Sequence, residues 1–147
     1  MNRKVPVLSP AAVVLLLASV QARALDLRGT LWESVATRHG LDAALLYAIA
    51  VQETGRPSGN GTVAPWPWTL GARNGPRFYE SRDAALEALQ GVMRKTGDLR
   101  IGLLQISVED HGDRFGDPGT LLDAQVNLGV AAGILADAIR SAGNDLA

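Results

Sequence analysis

The run Leu41-Asp42-Ala43-Ala44-Leu45-Leu46-Tyr47-Ala48-Ile49-Ala50-Val51-Gln52-Glu53 is apolar nearly all the way round a helix. A helix of that kind has no polar side to turn to water, so it is expected as the central buried helix of its domain. Asp42 is a natural N-cap, Gly55 a stop, and Pro57 forbids continuation. The helix closes on Glu53. A carboxylate at the end of a buried helix loses part of its water, which favours the protonated form. An acid protonated near neutral pH can give a proton to a leaving oxygen, the first need of glycosidic bond cleavage. A helix-end glutamate that only serves its neighbours is the plainer alternative.

The start of the chain is of another kind. Arg3 and Lys4 precede the apolar stretch Ala11 to Val20, and Ala22-Arg23-Ala24 has the small-x-small form of a cleavage site. Residues 1–24 therefore read as a secretory signal peptide. A membrane anchor fits less well, because Pro6, Ser9 and Pro10 interrupt a run shorter than the ~20 residues a spanning helix needs. Cleavage after Ala24 takes 24 of the 147 residues and leaves 123, enough for one modest core across 25–147. No cysteine is present, which excludes disulfides, thiol–metal sites and a lipidated cysteine. Losing Arg3, Lys4 and Arg23 from 14 basic residues leaves 11 against 15 acidic ones. That mild acidity gives no electrostatic footprint for nucleic acid. His39 and His111 are the only histidines, and their spacing suits no metal. No metal and no cofactor are expected.

Elsewhere the helices announce themselves by their ends. Thr30 with Glu33 forms a capping box and Gly40 a stop, so a helix is expected from Leu31 to His39, with Leu31, Trp32, Val35 and Ala36 inward. Residues 55–81 are rich in glycine and proline and break any helix. Within them Trp68-Thr69-Leu70 and Arg77-Phe78-Tyr79 flank Asn74-Gly75, the pattern of a hairpin. Ser81 should cap a helix to about Lys95, with Leu86, Leu89, Val92 and Met93 inside, and Gly97-Asp98 a turn. Ile101 to Val108 is apolar, and periodicity leaves it helical or extended. A last helix is expected from Thr120, where Thr120-Leu121-Leu122-Asp123 resembles a cap, to about Ser141. Gly129 and Gly133 lie on one face of it, which suggests close packing of a neighbouring helix. The fold class is mainly α (α+β): a helical domain with a small β-hairpin.

Two further residues carry possible chemistry. Gln105 is a lone amide in Gly102-Leu103-Leu104-Gln105-Ile106. It either pins its own loop to the backbone or lines a polar cleft that binds a sugar. Asn127 falls among apolar residues, and a helix-to-loop hydrogen bond is favoured there over substrate contact. Aromatic rings pack well on pyranose faces. Trp68 and Tyr79 are open to both core and substrate roles, Trp66 and Phe78 cluster beside them, and Trp32 belongs to the core.

Together, Ala50-Val51-Gln52-Glu53-Thr54-Gly55, Gly102-Leu103-Leu104-Gln105-Ile106 and Asp123 to Leu135 resemble the successive motifs of the soluble lytic transglycosylase-like family. That family has a lysozyme-like fold and cleaves peptidoglycan glycan strands. Pro65-Trp66-Pro67-Trp68-Thr69-Leu70 before a hairpin is similar to its small secreted members that accompany conjugation and type IV secretion. The resemblance implies that Glu53 is a single catalytic acid/base, that Gln105 lines the sugar cleft, and that Thr54 stands where the family usually has serine. It also implies a periplasmic enzyme that meets glycan strands and secretion machinery, with no membrane span after cleavage. Glu53 and Gln105 are 52 positions apart, more than in minimal members, and the hairpin and Ser81 helix fill the difference. The family continues past its last helix into a tyrosine–asparagine pair that helps close the cleft. Here Asn144-Asp145-Leu146-Ala147 stands at that point, so either the form is C-terminally shortened or the remaining wall of the cleft comes from elsewhere. No second carboxylate is marked by its setting; Glu80, Asp83 and Asp98 are the candidates. The rival expectation is a catalytically idle peptidoglycan-binding or scaffold module.

Overall fold

In the computed structural model, residues 25–59, 61–93 and 98–144 are described. Residues 1–24, read above as a signal peptide, Lys95, Gly97 and the last three residues lie outside that range. Helix α1 is Leu31–His39, as its caps predict. The Thr30 hydroxyl accepts from the Glu33 amide at 3.4 Å, and Gly40 ends the helix at φ 66°. Glu33 Oε2 accepts from the Gly29 amide at 2.6 Å, one residue before the cap. Both histidines end helices, His39 closing α1.

Helix α2 is Ala43–Thr54, with the Asp42 carboxylate accepting from the Ala44 and Leu45 amides. It is not buried all round. Leu46, Ala50 and Thr54 form its inner stripe, while Ala44, Leu45, Ala48, Gln52 and Glu53 are exposed. Leu45 remains 44 % exposed. The helix is packed chiefly by α1 on one side and the strands that follow it on another, too few neighbours to enclose it.

Those strands exceed the single hairpin expected. β1 (Gly55–Pro57) and β2 (Val63–Pro65) form a two-stranded antiparallel ribbon. β3 (Thr69–Ala72) and β4 (Gly75–Phe78) form the expected hairpin around Arg73-Asn74. Neither loop residue has a positive φ, and Gly75 at φ 90° takes that part instead, as in a bulged turn. β5 (Arg100–Ile101) pairs with β3, and β6 (Ile106–Ser107) pairs with β5, giving the order β4-β3-β5-β6. Pairing with β3 decides for the extended form at residue 101, and pairing with β5 at residue 106.

Helix α3 is Arg82–Met93, with the Ser81 hydroxyl accepting from the Ala84 amide. Leu89 is buried and Leu86 and Val92 pack on the core, but Met93 points to solvent. α4 (Val108–His111) is a single turn. Pro118–Leu122 is a 3-10 turn, so Thr120 does not cap the last helix. Asp123 does, accepting from the Gln125 and Val126 amides, and α5 runs Ala124–Asn144. The close packing expected at its glycines is absent: a Cβ on Gly129 would meet nothing within 4 Å, and one on Gly133 only His39 at 3.7 Å.

The fold is mainly helical with a small antiparallel sheet. One apolar cluster joins the sheet, α3 and the 3-10 turn, through Leu70, Leu89, Ile101, Ile106 and Leu121. The other joins α1, α2 and α5, through Val35, Leu46, Leu128 and Ala132. Leu104 packs on both, so the loop between β5 and β6 is where the halves meet.

Candidate functional site

The 102–105 loop is held from two sides. Thr54, fully buried, donates its hydroxyl to the Leu103 carbonyl at 2.8 Å and to the Ala50 carbonyl at 3.1 Å. Asn127, also fully buried, accepts from the Leu104 amide at 3.0 Å. It donates to the carbonyls of Ile101 at 2.8 Å and Leu121 at 3.0 Å. Both N–H groups and the oxygen of the amide are engaged within the protein, so the helix-to-loop account of Asn127 holds. Gly102, at φ 80°, is required beneath it, since a Cβ there would lie 2.1 Å from Asn127 Nδ2.

Thr54 is corrected by the same geometry. A hydroxyl with no exposure and two internal acceptors is not available to a substrate. Its work is to tie the end of α2 to the loop. The backbone of Trp66 completes the joint, its amide donating to the Thr54 carbonyl at 3.0 Å and approaching Thr54 Oγ1 at 3.3 Å.

Gln105 is half-buried and sits at φ 47°, in the left-handed region unusual for a residue with a side chain. Its Nε2 donates to Gly102 O at 3.0 Å and reaches Thr69 O at 3.4 Å. Its Oε1 lies against Gly71, at 2.1 Å from where a Cβ would stand. The side chain therefore folds back over β3 and pins its loop, the plainer of its two readings. Its position next to a strained backbone at the meeting point of two cores still marks the place as specially shaped.

Glu53 is exposed, contrary to the expectation of a desolvated acid. The reason is the incomplete enclosure of α2. Its neighbour Thr54 is anchored inward, which directs position 53 to the outer side of the helix.

The aromatic residues divide. Trp68 is half-buried, packs on the sheet core and meets Trp66 edge-on at 5.3 Å. Tyr79 lines an open groove of about 980 Å³ between the β3–β4 hairpin and α3, with Leu70, Arg77, Val92 and Asp98. None of Glu53, Thr54, Gln105 or Trp68 lines that groove. The structure thus unites Thr54, Trp66, the Gln105 loop and Asn127, and sets Tyr79 apart. Trp32 packs on the α1–α2 core and meets Tyr47 edge-on at 5.1 Å.

Of the candidate second carboxylates, Glu80 pairs with Arg56 at 3.5 Å and Asp98 with Arg100 at 3.4 Å, while Asp83 lies in the first turn of α3. Arg56 went unnoticed in the sequence. Its guanidinium lies 4.7 Å from the Trp66 ring and 5.3 Å from the Phe78 ring. An arginine in a glycine- and proline-rich stretch carries no local signal when its ring partners lie 10 and 22 positions away.

No known family model, curated protein or solved structure matches the chain. Among the described residues no helix is long and apolar enough to cross a membrane, and no three histidine, cysteine or acidic side chains group as a metal site would need.

Proposed function

We propose that this protein is a peptidoglycan lytic transglycosylase of the periplasm, with Glu53 as its single acid and base. One observation carries the reading. The three segments that resemble the family's motifs meet in space, the end of the Glu53 helix bonded through Thr54 to Leu103, and Asn127 bonded to Leu104. Segments 52 and 74 positions down the chain from Glu53 have no local reason to converge there.

Glu53 would protonate the oxygen that links N-acetylmuramic acid C1 to the 4-position of N-acetylglucosamine, and the C1–O bond breaks. The carboxylate would then take the proton of the muramic acid 6-hydroxyl, whose oxygen closes on C1 as a 1,6-anhydro ring. No water is consumed. Acid–base action of this kind contributes roughly 10²–10⁴ in rate, and positioning of the sugar supplies the rest. Since Glu53 is exposed in the free protein, the strand itself must exclude water from it. The physiological setting that suits such an enzyme is local opening of the wall for a secretion or conjugation apparatus.

Glu53→Gln should abolish release of anhydro-muropeptides from purified sacculi while the fold persists. A hydrolytic muramidase would give products heavier by one water. Clearance by the variant at the parent's rate would refute the assignment. The exposure of Glu53 favours one second reading, an idle peptidoglycan-binding or scaffold module, for which sacculi would be bound and never cut.

A further inference from the structure

Arg56 stands in β1, three residues after Glu53, on a platform built from the same joint. Trp66 is fixed by its amide on Thr54 and by its indole N–H, which donates to the Tyr79 carbonyl at 2.6 Å. With Trp66 and Phe78 both against the guanidinium, the plane of the arginine fork is set. The fork is better built than its occupant. Glu80 Oε1 touches only Nη2, at 3.5 Å, long for a charge-assisted bond, and the Glu80 side chain is 83 % exposed. Nη1 is buried and has no hydrogen-bond partner among the described residues. A buried N–H of a charged group without an acceptor is costly and rare in folded chains.

A carboxylate that displaced Glu80 from Nη2 would match that edge of the planar fork, and a shift of the groups that cover Nη1 would let it accept from both nitrogens. A neutral sugar hydroxyl would not balance the charge. Peptidoglycan strands present carboxylates along their length. These lie on the peptide stem, or on the lactyl ether of muramic acid where the stem has been removed. Resting on the function proposed above, we infer that Arg56 is the receptor for a strand carboxylate and that Glu80 occupies it weakly in the free protein. The site would make the enzyme selective for anionic wall strands over neutral chitin-like ones.

The competing account is a staple, in which Arg56 and Glu80 merely join the ribbon to the hairpin. The two accounts differ in the sign of one variant. The full chain is titrated, with tryptophan fluorescence as readout, against three probes of equal length. They are stem-bearing strands, strands stripped by an amidase so that lactyl carboxylates are free, and neutral chitooligosaccharides. The parent should prefer at least one anionic probe, and whichever it prefers identifies the carboxylate. Arg56→Lys should weaken that probe by roughly ten- to a hundredfold and leave the neutral probe unchanged. Glu80→Gln, at an exposed position, should tighten the anionic probe by roughly two- to fivefold.

Equal affinity of the parent for all three probes overturns the inference. So does weaker anionic binding by Glu80→Gln, or an equal loss on all probes in Arg56→Lys. Anhydro products without any charge preference would sink this inference alone. Charge preference with no anhydro product would sink the transglycosylase reading and leave the receptor standing.

Discussion

Replacing Asn127 by alanine should be among the most damaging single changes in the molecule. The side chain holds the Leu104 amide and the Ile101 and Leu121 carbonyls, and it has no exposure. Its removal takes a partner from three backbone groups, two of them in buried bonds and the Leu104 amide in a part-buried one. Each such group costs about 1–3 kcal/mol, and water entering the vacated space offsets part of the sum, so a net loss of about 3–5 kcal/mol is expected. Small domains have only roughly 5–15 kcal/mol in total. Urea unfolding of the parent and variant, with m values of about 1–3 kcal/mol/M, should therefore show the midpoint falling by about 2 M at unchanged m. Asn127→Asp sharpens the test. It keeps the acceptor for Leu104 but turns an oxygen toward two carbonyls, so it should be at least as harmful at neutral pH. Acidification, which restores one donor, should recover part of its deficit relative to the parent. A cost below about 1 kcal/mol for the alanine variant, or a neutral effect of the aspartate, would refute the idea that this amide joins the two cores.

Three other outcomes follow from the same geometry. Gly102→Ala should cost more than the about 1–2 kcal/mol of a left-handed alanine, because its Cβ would also strike Asn127 and the Leu121 carbonyl; thermal melting reads it. Thr54→Val should lose about 1–3 kcal/mol and Thr54→Ser appreciably less, since serine keeps the hydroxyl that Leu103 accepts; a valine variant as stable as the parent would contradict the tie. The Arg114 hydrogen bond, the largest influence on it, holds the Asp137 carboxyl below the ordinary aspartate value of 3.8. The folded state thus gains stability that is present above that value and is lost as pH falls through the lower folded value; Asp137→Asn should flatten this acid limb of a stability–pH curve.

The parts of the fold that were legible are those whose cause lies within a few residues. Thr30 and Gly40 bound α1, Asp42 begins α2 and Ser81 begins α3, because a cap is a contact between positions two to four apart. Local signals fail where two compete. Thr120 and Asp123 both look like caps, and the 3-10 turn that Asp117 and Pro118 start absorbs the first and leaves the second. The two states open at residues 101–108 are resolved by β3, which pairs with β5 from about 30 positions upstream. For the site, Glu53 and Gln105 could be named from their setting, but their orientation could not. Apolarity along α2 reports what the helix tolerates, and the number of neighbours decides what it buries. Arg56 could not be named at all, since its partners come from the residue after β2 and from the hairpin and its exit.

The sequence by itself determined the class of fold, the caps that start the first three helices, the β3–β4 hairpin and the order of the three motif-like segments. These follow from backbone preferences and short-range hydrogen bonds, which operate wherever the chain goes. Only the tertiary structure decided that Thr54 and Asn127 clamp the Gln105 loop from opposite sides, that Glu53 faces water, and that Arg56 lies against two rings with one nitrogen unpaired among the described residues. Those outcomes depend on which distant groups compete for the same donor or the same space, and that competition is settled when the two cores close on Leu104.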